Sequence, residues 1–225
     1  MSDRKELSIA VCLFPNVTAL DYQGAIELLG FLKTETLEKK SLSPSPKVSL
    51  RFTFLSHTLD PVPLSSGPDA LPQGTYREVI NNNQQFDIFL VPGGPGARPG
   101  AVPDDLLEFV KHQTPGAKYI LSVCTGSWIL AGAGILEGKK ATTNKAGFKD
   151  CKGATSKNIN WVAKARWTTD GNIWTSSGVT AGMDMANAFL VHLVGDEVAR
   201  VIRGIVELSA KGEGDDEFAE FYGLV

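Results

Sequence analysis

The chain has 225 residues, 43% hydrophobic and 21% charged, which excludes intrinsic disorder or a fibrous repeat as a description of the whole. Lys and Arg number 22 against 25 Asp and Glu, and this net charge of −3 disfavours nucleic-acid binding by counterion release. Three cysteines make no disulfide framework, and the three scattered histidines, His57, His112 and His192, have no metal-ligand spacing with them.

The first segment, MSDRKELSIAVCLF, lacks a small-residue cleavage site after its short apolar stretch, so no secretory signal is read and a cytoplasmic location is expected. Leu7–Phe14 is a continuous apolar run, as in a buried parallel strand. Ala19–Leu32 has helical spacing, and the polar Lys33–Lys47 stretch reads as a loop or a frayed helix end. Val48–Ser56 alternates as a second strand, and the turn-rich Pro61–Pro72 stretch holds a short hairpin or crossover. Phe86–Val91 is an apolar run that stops at Pro92-Gly93-Gly94. Pro103–His112 is a helix, with Pro103 in its first turn and Asp104 and Asp105 complementing its dipole.

Tyr119–Leu136 runs 18 residues without a charge, which enters the transmembrane range. Its glycines and hydroxyls divide it instead into a buried strand, a sharp turn and a buried helix over 126–134. Lys139–Thr143 is a short strand, and Ala165–Thr169 and Asn172–Ser176 flank Asp170-Gly171, a hairpin signal. Two helices follow, Met183–Val194 and Asp196–Ser209. The segment over 211–225, acidic then aromatic, reads either as a solvated tail or as an aromatic anchor on the body or on a second subunit. Strands alternating with helices imply an α/β sandwich with a mostly parallel sheet, in one domain over 1–225 with its core at about 8–200.

Cys12 lies inside an apolar strand and reads as a small buried hydrophobe, whereas Cys151 lies in a polar loop beside lysines. Cys124 stands apart, because it follows an apolar strand and precedes Thr125-Gly126-Ser127 at a helix start. A strand-to-helix turn holds its residue at the carboxyl edge of a parallel sheet, where ligands bind. The helix N–H groups and dipole there lower a thiol pKa. Cys124 therefore reads as a nucleophile, with a buried cysteine as the alternative, and Gly126 permits close approach in the turn. Gly93 and Gly94 end the neighbouring strand, and with the Thr125 N–H their uncovered N–H groups form a candidate oxyanion hole. No histidine lies near the elbow in sequence. Asp21 is the available proton carrier at the same sheet edge, with capping of its own helix as its other reading, and Glu27 lies further along that helix.

The stretches FPNVTALDYQGAIELL (Phe14–Leu29), VPGGPGAR (Val91–Arg98), SVCTGSWILAGAGILEGKKATT (Ser122–Thr143) and SSGVTAGMDMANAFLVHLV (Ser176–Val194) resemble the DJ-1/PfpI superfamily, and its isocyanide hydratase branch in particular. That branch pairs a Cys-Thr-Gly elbow with the aspartate of a Leu-Asp-x-x-Gly motif. The resemblance implies a flavodoxin-like three-layer sandwich and a homodimer with its active site close to the subunit interface. It also implies Cys124 as nucleophile, Asp21 as its carboxylate partner, Thr125 as the residue after the nucleophile, and Gly93 and Gly94 in the opposing loop. Two departures bear on the substrate pocket: Asn144-Lys145 stands where relatives often have His-Trp, and Ser176-Ser177 where more glycine is expected. The regulators that share these motifs carry an added helix-turn-helix domain, for which the residues after Val194 are too few.

The implied reaction is hydration of an isocyanide to an N-substituted formamide, with no cofactor or metal. The Cys124 thiolate attacks the terminal carbon to give a thioimidate, and Asp21 relays a proton and then activates water. Two alternatives share the thiol: glutathione-independent hydration of methylglyoxal, and redox sensing through oxidation of Cys124 to a sulfinate. Protease action lacks its Cys-His elbow.

Overall fold

In a computed structural model, residues 4–39 and 42–225 are described; residues 1–3 of the charged N-terminal stretch and 40–41 of the Ser/Pro-rich stretch lie outside them. The strands are β1 (Lys5–Cys12), β2 (Val48–Ser56), β3 (Gly74–Thr75), β4 (Ile88–Val91), β5 (Tyr119–Ser122), β6 (Lys140–Ala141), β7 (Asn160–Trp161), β8 (Trp167–Asp170) and β9 (Ile173–Ser176). The helices are α1 (Ala19–Leu29), α2 (Thr34–Lys39), α3 (Tyr76–Asn81), α4 (Asp104–Gln113), α5 (Gly126–Gly132), α6 (Phe148–Ala154), α7 (Thr180–Val194), α8 (Asp196–Ile205) and α9 (Phe218–Phe221).

Seven strands form one sheet in the order β3-β2-β1-β4-β5-β9-β8, with every pairing parallel except β8 with β9. β1 lies inside it, and Ile9, Ala10, Val11 and Cys12 are fully buried, as a strand covered on both faces requires. Helices flank the sheet in two packed groups, α1 with α7 and α7 with α8, and α3 with α4 and α4 with α5. This is the expected three-layer, mostly parallel sandwich. β6 and β7 make a separate two-stranded parallel sheet.

The chain runs from β1 outward to β2 and β3, then returns to place β4 on β1's other side. That reversal opens a crevice at the carboxyl ends of β1 and β4, the usual ligand position in such sheets. Backbone bonds close its floor: Thr18 N–H donates to the Gly93 carbonyl at 2.9 Å, and Gly96 N–H to Asn16 at 3.4 Å.

Several expectations need correction. The polar Lys33–Lys47 stretch contains the six-residue helix α2, which buries Leu37. The structure adds helix α3, which Thr75 and Glu78 start with a reciprocal capping box. Pro103 precedes α4 instead of lying in its first turn. The hairpin loop is Gly171-Asn172, since Asp170 pairs with Ile173, and Gly171 takes the positive φ of 61°. A glycine leading a two-residue hairpin loop suits a II′ turn. Cys151 is not in an exposed loop: it lies on α6, 1% exposed, on the face that also buries Phe148. The 211–225 segment docks through acids and backbone, with Asp216 only 4% exposed and Phe221 76% exposed. Tyr119–Leu136 is strand, turn and helix, and among the described residues no helix is long and apolar enough to cross a membrane.

Candidate active site

After β5 the chain turns sharply through Val123 and Cys124 into α5. Cys124 adopts φ 58°, the left-handed region that a residue with a Cβ enters only under constraint. Its backbone supplies that constraint. The N–H is shared between the carbonyls of Ser176 and Ser177 at 3.2 and 3.1 Å. The carbonyl accepts from Ser127 Oγ at 3.0 Å and Thr143 Oγ1 at 3.1 Å. Gly126 is the hinge of the turn: a Cβ there would lie 2.1 Å from the Val91 carbonyl oxygen. Its lack of a side chain lets α5 start against the end of β4.

The elbow brings the Cys124 thiol beside the Asp21 carboxyl, close enough for each to shift the other's titration. Asp21 is the third residue of α1 and does not cap it; Thr18 occupies the N-cap position. Asp21 Oδ2 accepts the Gly93 N–H at 2.9 Å, while Oδ1 is buried without a hydrogen-bond partner. Burial raises the Asp21 pKa to about 6, against the lowering effects of the Gly93 N–H and the Cys124 thiol.

Burial, and then the negative charge of Asp21, push the Cys124 thiol up to about 12, although the N–H groups of Thr125 and Val179 and the Thr125 side chain favour the thiolate. This corrects the expectation of a lowered cysteine pKa. Local helix donors are present, but desolvation and the neighbouring carboxylate outweigh them. At neutral pH the resting pair is therefore a carboxylate and a thiol.

Gly93 and Gly94 do not present free donors. The Gly93 N–H is bound by Asp21, and the Gly94 N–H donates to Thr125 Oγ1 at 2.9 Å, which in turn donates to the Gly94 carbonyl at 3.1 Å. A Cβ on Gly93 would lie 2.5 Å from the Thr125 nitrogen and 2.9 Å from Asp21 Oδ2. The glycines thus allow the loop to approach the elbow, and their N–H groups are taken by Asp21 and Thr125. The donors aimed at Cys124 are the Thr125 and Val179 N–H groups. Val179 went unrecognised in the sequence. It has φ 38°, an outlier for a β-branched residue, and no propensity signal announces it.

A pocket of about 330 Å³ opens onto Cys124, with Thr125, Gly94, Trp128, Asn144 and Val179 in its wall. The Trp128 indole N–H is buried without a hydrogen-bond partner. None of the three histidines lines the pocket; His192 bonds the Tyr119 hydroxyl at 2.9 Å, and His57 bonds Ser56. Glu27 is on the exposed face of α1. Among the described residues no group of three or more His, Cys, Asp or Glu side chains is arranged to hold a metal ion.

The model of the DJ-1/PfpI family matches residues 8–192. The chain is 34% identical over 200 residues to the isonitrile hydratase of Pseudomonas putida, covering 88% of this chain and 76% of that one. It is 29% identical to the HTH-type transcriptional regulator GbdR of Pseudomonas aeruginosa, over 91% of this chain but only 50% of the regulator. Among solved structures, a THiJ/PfpI family protein from Pseudomonas syringae superposes with a TM-score of 0.74 at 26% identity, covering 93% of this chain and 78% of that one.

Proposed function

The chain belongs to the DJ-1/PfpI family, and we propose that it hydrates isocyanides to N-substituted formamides, with Cys124 as nucleophile and Asp21 as proton carrier. The observation that carries this reading is the buried Asp21 carboxyl beside the Cys124 thiol, with its Oδ1 left without a hydrogen-bond partner, at an elbow with no histidine. The similarity to an isonitrile hydratase supports the same reaction.

In this reading the Asp21 carboxylate takes the thiol proton as sulfur bonds the terminal carbon of R–N≡C. It returns that proton to the same carbon, giving the thioimidate R–N=CH–S. Water then adds to that carbon, its hydroxyl bonding carbon and its proton reaching nitrogen. The C–S bond breaks as the carbonyl forms, the proton of the added hydroxyl returns to sulfur through Asp21, and R–NH–CHO leaves. A carboxyl with pKa near 6 suits both directions of transfer at neutral pH. The Thr125 and Val179 N–H groups steady the sulfur while it carries charge.

The test is loss of isocyanide absorbance and appearance of formamide with purified protein. Cys124→Ala is expected to abolish both. Absence of turnover across alkyl and aryl isocyanides removes the assignment, and lactate from methylglyoxal would move it to the glyoxalase-type reaction. Redox sensing is less well supported, since a thiol held near pKa 12 exposes little thiolate to peroxide. The homodimer implied by the sequence resemblance belongs to the same proposal, and light scattering of the purified chain tests it.

A further inference from the structure

Lys145 follows Asn144 in the loop between β6 and α6, which also gives Ala146 and Gly147 to the pocket wall. A lysine in such a loop ordinarily reaches for water, yet Lys145 is turned inward and 3% exposed. Its Nζ donates to Thr142 Oγ1 at 2.9 Å and to the Ala165 carbonyl at 2.8 Å. It also lies 3.1 Å from Asp216 Oδ2, with the two side chains 2% and 1% exposed. The other Asp216 oxygen accepts the N–H groups of Phe218 and Ala219 at 2.8 and 3.0 Å, so one carboxylate starts α9 and faces the buried cation.

Two further ties join the same segment to the body. The Arg166 N–H donates to the Glu213 carbonyl at 2.7 Å. The Lys211 N–H donates to Asp184 Oδ1 at 2.9 Å, while the other Asp184 oxygen takes the Arg166 guanidinium. Asp184 stands in the first turns of α7, which begins directly after Val179, a donor facing Cys124. Residues 211–219 thus connect the loop that carries Asn144 with the helix that follows Val179, two contributors to the pocket wall. A buried ion pair is costly to break by removing one partner, because the other charge is left unpaired. Such a pair fixes its loop in one position.

We propose that residues 211–219 form an internal strap that sets the pocket wall, with Lys145 and Asp216 as positioning residues for the substrate. The effect on turnover rests on the hydratase reading above; the effect on the wall does not.

Two full-length variants test it. Asp216→Asn keeps an oxygen for the Phe218 and Ala219 N–H groups and removes the charge facing Lys145; Asp216→Ala removes both. In Asp216→Asn the KM for an isocyanide is expected to rise about tenfold with kcat within about twofold, the pattern of lost substrate positioning with intact chemistry. The second readout is iodoacetamide labelling of the native protein, resolved by cysteine in a mass spectrometer. Cys124 labelling is expected to speed up about tenfold in both variants while Cys12, fully buried in β1, keeps its rate and so reports global opening. Parallel acceleration of Cys12 and Cys124 would mean general destabilisation and overturn the proposal, as would an unchanged Cys124 rate. Should wild type turn over no isocyanide, the hydratase reading falls and the ratio of the two labelling rates decides the strap alone.

Discussion

Asp21 links chemistry to stability through one proton. Its ordinary pKa of 3.8 is raised to about 6 in the folded chain, chiefly by burial. Below about pH 4 the carboxyl is protonated in both the folded and unfolded chains and costs nothing. Between 4 and 6 the unfolded chain releases its proton first, so stability falls as pH rises, and above 6 the full cost of the buried charge is present. That cost is about 3 kcal/mol, from about 1.4 kcal/mol for each pH unit between the two values. Asp21→Asn keeps an acceptor for the Gly93 N–H and removes the charge. Its melting temperature at pH 7.5 is expected to exceed wild type by roughly 5 °C, and the two should converge below pH 4. The same variant should lose about a hundredfold or more in kcat/KM. Wild-type kcat/KM should rise with pH through about 6 and then level off, because only the carboxylate can take the thiol proton. A stability gain that persists at pH 3.5, or a rate that falls as pH rises through 6, is incompatible with this account.

Among the elements, the elbow and its partner residues Asp21, Gly93 and Gly94 are legible in the sequence, whereas the bonds that join them are not. An apolar strand followed by Cys-Thr-Gly and a run of small residues can hardly form anything but a strand, a turn and a buried helix, and β5 and α5 lie where those residues place them. Helix α6 is not legible because Phe148–Ala154 has no apolar repeat; only Phe148 and Cys151 face inward, so the sequence reads Cys151 as lying in a polar loop. The Asp21–Gly93 bond spans 72 positions, so no local spacing encodes it. The direction of the thiol pKa is hidden from the sequence for a similar reason: the helix N–H groups are visible there, whereas burial is a property of the assembled layers. Gly126 tests how tightly β4 and α5 meet. A methyl group at 2.1 Å from the Val91 carbonyl oxygen meets only backbone, that of Val91 and Pro92, and no flexible side chain is there to yield. Gly126→Ala is expected to cost about 3 kcal/mol or more, at the upper end of overpacking effects. Gly134→Ala, at a φ of 80° but with open space around it, should cost only the left-handed penalty of about 1–2 kcal/mol. Chemical denaturation of both variants measures the difference, and equal losses would mean that the β4–α5 contact is looser than described.

For the molecule as a whole, alternation of strands and helices announced a parallel sheet, but its order could not be read, because β4 returns across β1 only when the helices are packed. The same assembly settles the three thiols. They come from the interior strand β1, the elbow and α6, and all are buried, at 0%, 7% and 1% exposed for Cys12, Cys124 and Cys151. Burial pushes each of them upward, and Cys124 borders the pocket of about 330 Å³. A thiol far below its pKa gains thiolate about tenfold per pH unit. Native protein treated with an aromatic disulfide reagent should therefore release no more than about one equivalent, slowly, at a rate that climbs about tenfold per unit between pH 7 and 9. In denaturant all three thiols should react at once, and Cys124→Ser should remove the native equivalent. Fast reaction of a second thiol at pH 7 would contradict the burial of Cys12 in β1 or of Cys151 on α6. A fast, pH-independent reaction of Cys124 would contradict the resting carboxylate–thiol pair on which the proposed proton transfer depends.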